Sequence, residues 1–85
     1  MSITQTIRCY ILENFLFTND EAALQNEKSF IAAGLIDSTG ILEIILFIEE
    51  TFGVKVDDEE MLPENLDSVN NLVAFVGRKQ LALAA

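Results

Sequence analysis

Between Thr39 and Phe52 the residues Ile41, Ile44, Ile45, Ile48 and Phe52 recur at intervals of three and four. At about 100° per residue they fall on one side of a helix. The stripe is wide and wholly apolar, so it has to be buried against other elements. The same spacing returns at Ile3, Ile7, Ile11 and Phe15, and again at Val69, Leu72, Val73 and Val76, with Leu83 as a further position. Strand-type alternation is nearly absent. The fold class is therefore all-α, with three main helices that share one core.

Local signals set the boundaries. Ser2 followed by Gln5 matches a capping box at the start of the first helix, which ends within Asn14–Asn19. Asp37 or Ser38 starts the second helix, and Gly53 stops it after about Thr51. Gly53–Asp58 reads as a turn with Val54 and Val56 pointing inward. Pro63 opens a short helical turn, Pro63–Leu66, and Ser68 caps the last helix. Residues 17–37 read as a long loop in which Asp20 caps a short turn at Glu21–Leu24. Phe17, Leu24, Phe30, Ile31, Leu35 and Ile36 are too apolar for a free linker and are expected to pin it to the core. The Ala-rich end, Leu81–Ala85, is expected to fray.

A chain of 85 residues suits one domain, 1–85, and 51% hydrophobic residues make a packed core attainable. With 14 acidic and 5 basic residues the net charge is −9. That charge disfavours nucleic acid and anionic membranes, and it favours partners with basic surfaces. The single cysteine, Cys9, has no internal disulfide partner. It reads as a small packed residue of the first helix in a reducing, cytoplasmic setting. No apolar run reaches transmembrane length, and no signal peptide is apparent. The domain is expected to be a monomer.

The face of the second helix opposite the apolar stripe carries Thr39, Glu43, Leu46 and Glu50, flanked by Leu42 and Phe47. A purely solvated face would be polar throughout. Acids interleaved with large apolar groups suit a protein docking surface, unless the 17–37 loop covers Leu46 or Phe47. Ser38 stands at the start of this helix beside that face. Taken alone it suits a helix cap or first-turn residue.

Gly34-Leu35-Ile36-Asp37-Ser38, followed by this apolar and acidic helix, resembles the phosphopantetheine attachment motif of acyl carrier proteins. Ile48–Val56 is similar to the helix end and turn of that family. Pro63–Val69 is similar to its third helix and the cap of its fourth. The resemblance spans nearly the whole chain, less closely before residue 28. It implies a four-helix bundle of acyl-carrier type with a short third helix and a long first loop. It implies that Ser38 receives a 4′-phosphopantetheine arm, with Asp37 and Thr39 beside it. An acyl or aminoacyl cargo would ride on the arm as a thioester.

The implied partners are a phosphopantetheinyl transferase, a cargo-loading ligase and a cargo-using enzyme of lipid or secondary metabolite biosynthesis. Leu42, Glu43, Leu46, Phe47 and Glu50 would meet them. Ile44, Ile45, Ile48, Leu62 and Leu66 would either line a space that shelters a chain between the second and third helices or simply fill a dry core. One departure stands out. Thr39-Gly40 follows the serine where the family usually has leucine. This resembles specialised stand-alone carriers more than the general fatty-acid carrier. Gly40 weakens the helix by about 1 kcal/mol relative to alanine, which points to a backbone that is pliable or closely approached.

The chain has no histidine, so a Ser-His-Asp or Cys-His device is impossible. The acids Asp57–Glu60 fail the calcium-loop pattern, because Leu62 or Pro63 falls where glycine is required. No metal site and no enzymatic activity are expected. The alternative to a carrier is an unmodified acidic helical interaction domain in which Ser38 is only a cap.

Overall fold

Ser2 opens the first helix, α1 (Ile3–Ile11), with its Oγ accepting the Gln5 N–H at 3.1 Å. The structure is a computed structural model that describes residues 2–84. The helical path of α1 continues through a π turn, Leu12–Leu16, and ends at Phe17 in the left-handed region, φ 53°. A short 3-10 turn, Glu21–Ala23, follows, capped by Asp20 as expected. Then come α2 (Ser38–Phe52), a 3-10 turn (Asp58–Glu60), α3 (Pro63–Leu66) and α4 (Val69–Ala84). Gly53 ends α2 at φ 68°, and Ser68 Oγ caps α4 through the Asn71 N–H. The architecture is an all-helical bundle of acyl-carrier type with three main helices.

α4 packs against α1, α2 and α3. Ile7, Ile11 and Leu12 of α1 and its π turn share one buried cluster with Ile44, Ile45 and Ile48 of α2. Leu66 and Val69, Leu72, Phe75 and Val76 complete that core. Leu24, Phe30 and Ile36 pin the long loop to it, and Val54 and Val56 are buried as expected. Tyr10 stacks on Phe47, whereas Phe15, further along, reaches Gly40. Advancing along α1 therefore moves back along α2, so the two run antiparallel. The turn after α1 lies at the same end of the bundle as the start of α2.

Several expectations need correction. Phe17 and Ile31 do not pin the loop: they are 82% and 52% exposed. Ile41 and Phe52 are half-buried at the edge of the stripe, not inside it. Leu83 is exposed, and Phe75 holds the core position that the α4 pattern missed. α4 continues to Ala84, so the helix takes in most of the Ala-rich end; Ala85 lies outside the described residues. Alanine has the highest helix propensity, which suits the continuation of α4 into this segment.

Arg8 was unanticipated in the interior. It is 8% exposed, and its guanidinium donates to the Leu24 and Glu21 carbonyls at 2.8 and 2.7 Å. It also donates to Asn26 Oδ1 at 2.5 Å and Glu21 Oε1 at 3.1 Å. One side chain thus ties α1 to the start of the long loop. Its signal in the sequence is slight, because the carbonyls that accept from it come from a segment without periodicity.

Candidate functional site

Asp37 caps α2. Its Oδ1 accepts the Gly40 N–H at 2.8 Å and its carbonyl accepts the Ile41 N–H at 3.0 Å. Ser38 is therefore the first helical residue and not the cap. Its side chain is exposed, and among the described residues its hydroxyl has no hydrogen-bond partner. Thr39, next to it, is exposed as well. The first-turn amides of a 15-residue helix carry partial positive charge beside this hydroxyl. An exposed, unengaged hydroxyl in that setting can carry an anionic phosphodiester, so the residues present fit a phosphopantetheine arm. The arm, when attached, supplies a terminal thiol that holds cargo as a thioester.

Gly40 answers to close approach. A Cβ there would lie 2.5 Å from Ile36 Cγ2 and 2.9 Å from Phe15 Cε1. The segment leading into Ser38 is pressed onto α2 at this point, which fixes where the serine is presented. Asp67 holds the other end of that segment. Its carboxylate accepts from Ser29 Oγ and from the Ile31 N–H at 3.1 Å, and its carbonyl accepts the Phe30 N–H at 2.8 Å. Nothing in the sequence points to this role of Asp67, because its partners lie more than 35 residues away in the chain.

Beside Ser38 a groove of about 240 Å³ runs between α2 and α3. Ile31, Ile41 and Leu42 form one side, Met61, Leu62 and Pro63 the other, and buried Ile45 and Leu66 the bottom. Of the residues expected here, Ile45, Leu62 and Leu66 line it. Ile44 and Ile48 do not, because they face the central core.

The α1-facing side of α2 carries another groove, of about 330 Å³, lined by Tyr10, Glu43, Leu46, Phe47 and Glu50. Leu42 and Leu46 are 56% and 58% exposed, with Glu43 and Glu50 exposed around them. Phe47 is half-buried. Its cover comes from α1 and not from the long loop: Tyr10 stacks on it at 3.9 Å between centroids, 12° from parallel. Burial raises the Tyr10 pKa from its ordinary value, and the Glu43 carboxylate adds to the rise.

Among the described residues no cluster of three or more His, Cys, Asp and Glu side chains is placed to hold a metal, and no helix is long and apolar enough to cross a membrane.

The family model described as "Phosphopantetheine attachment site" matches residues 11–76. An acyl carrier protein of Micrococcus luteus is 41% identical over 61 residues, covering 72% of this chain and 73% of its own length. One of Myxococcus xanthus is 42% identical over 57 residues, covering 67% and 70%. A D-alanyl carrier protein of Streptococcus pyogenes serotype M5 is 34% identical over 84 residues, covering 96% of this chain and 100% of that protein. The chain therefore belongs to the phosphopantetheine-attachment family of carrier proteins, which use 4′-phosphopantetheine as cofactor and work as carriers for partner enzymes without catalytic activity of their own.

Proposed function

We propose that the chain is one carrier domain, 1–85, whose Ser38 bears the 4′-phosphopantetheine arm and presents a thioester-bound acyl or aminoacyl group to enzymes of the cytoplasm. The observation that carries this is the division of labour at the start of α2. Asp37 takes the capping hydrogen bond, which leaves the Ser38 hydroxyl exposed and unengaged. In arm attachment Ser38 Oγ gives up its proton and bonds to the pantetheine-side phosphorus of coenzyme A. The phosphoanhydride breaks and adenosine 3′,5′-bisphosphate leaves. Asp37 orients the helix start, and Thr39 flanks the new phosphodiester.

Leu42, Leu46 and Phe47, ringed by Glu43 and Glu50, suit partners with an apolar contact surface and basic surroundings. Those partners are the transferase, a loading ligase and a cargo-using enzyme. The apolar groove at Ser38 favours an acyl cargo, which it would shelter from water.

Intact mass after incubation with coenzyme A and a broad-specificity phosphopantetheinyl transferase tests the attachment. One arm is expected on the native chain and none on Ser38→Ala. No gain on the native chain, or an equal gain on the variant, would sink the reading. For the cargo, melting temperature should climb with acyl length until the groove is full; a flat series would count against shelter.

A further inference from the structure

Phe17 is the residue that folding does not account for. It is the most exposed large apolar side chain among the described residues, at 82%. It is also their only residue other than glycine with a positive φ, 53°. Asparagine or glycine would adopt that conformation with less strain and suit water better. The two residues before it, Phe15 and Leu16, tuck against the core, and the π turn then aims Phe17 outward. The Leu12 carbonyl accepts the N–H of both Phe17 and Thr18, which fixes the reversal. The left-handed backbone serves to end the helix; what the fold leaves unexplained is the almost bare aromatic carried on it.

Its place accounts for it. Phe15, in the same turn, touches Gly40, two residues after Ser38. Phe17 therefore stands at the Ser38 end of the bundle. The chain on either side of it is acidic: no Lys or Arg occurs between residues 9 and 27, and Glu13, Asp20 and Glu21 are exposed there, Glu21 in a pair with Arg8. A partner fitted to this corner needs an apolar pocket with a basic rim.

We infer that Phe17 is a docking anchor for the phosphopantetheinyl transferase that modifies Ser38. The inference rests on Ser38 being the attachment point. Loading and consuming enzymes can reach cargo at the far end of the arm. The transferase must bring coenzyme A to the Ser38 hydroxyl itself, so its surface has to cover this end of the bundle, where Phe17 projects.

The experiment follows arm attachment by intact mass, with a broad-specificity transferase and coenzyme A, on the native chain, Phe17→Asn, Phe17→Gly and Leu81→Asn. Phe17→Asn and Phe17→Gly relieve the left-handed strain, so both are expected to melt at or above the native temperature. Losing one buried aromatic contact should lower kcat/KM for attachment about ten-fold or more. Leu81, 74% exposed on α4, is the control and should leave kcat/KM unchanged. Native kcat/KM in both Phe17 variants, or an equal loss in Leu81→Asn, overturns the anchor. A native chain that takes no arm overturns the Ser38 reading instead.

Discussion

Arg8 shows how much one residue can carry. Its pair with Glu21 adds little, since that carboxylate is 57% exposed. The buried carbonyl of Leu24 matters more, because without the guanidinium it loses its partner. Arg8→Met is expected to cost about 2–4 kcal/mol in a urea titration. The two helical glycines make a sharper contrast. In α2, Gly40→Ala gains helix propensity but drives a methyl into Ile36 and Phe15, for a net loss of about 1–2 kcal/mol. In α4, Gly77 has nothing within 4 Å of its would-be Cβ, and Gly77→Ala should gain about 0.5–1 kcal/mol. Urea midpoints moving in opposite directions check the pair. The sequence marks Gly40 as pliable or closely approached without deciding between the two; its neighbours in space decide it and set it apart from Gly77.

At the scale of elements, the acidic run at 57–60 is more than a solvated turn. Asp57 and Glu60 close a capping box around the 3-10 turn, and Glu60 Oε1 also accepts from Lys79 Nζ of α4 at 2.8 Å. The Lys79 hydrogen bond, then the Asp57 N–H, hold the Glu60 carboxyl below its ordinary value of 4.5. A carboxyl depressed in the folded state stabilises above its unfolded pKa and loses that contribution as pH falls through the folded one. The tether between turn and α4 should therefore weaken below about pH 4.5. An NMR titration should find the Glu60 midpoint higher in Lys79→Met than in the native chain; an unchanged midpoint would remove Lys79 as the cause. The boundaries of α2, α3 and α4 were legible because caps act over three or four residues. The π turn at Leu12–Leu16 was not, since its sequence continues the helical spacing of α1.

For the whole molecule, the net charge of −9 acts at long range. It should speed encounter with basic partners at low salt, and the gain should vanish as the Debye length shrinks from about 30 Å at 0.01 M to about 3 Å at 1 M. Glu43→Lys/Glu50→Lys is expected to slow association with a basic partner several-fold at low salt and little at high salt, read by stopped-flow fluorescence. An equal effect at both ionic strengths would mean that these acids act by contact and not by steering.

The helical class, most helix boundaries, the apolar stripe of α2 and the motif that places the chain among carriers can all be read along the chain. Periodicity and caps are read within a few residues of themselves, so no distant information is needed. Which apolar residues stay uncovered depends instead on long-range packing. Phe47 is half-hidden because Tyr10 arrives from another helix. Phe17 is bare because the chain reverses under it, and Ile31 stands at the edge of a groove instead of inside the core. That packing also settles that Asp37 holds the cap while Ser38 stays free, and that a buried arginine and Asp67 fasten the long loop. Each of these outcomes depends on groups far apart in the chain meeting in space, which a local pattern does not encode.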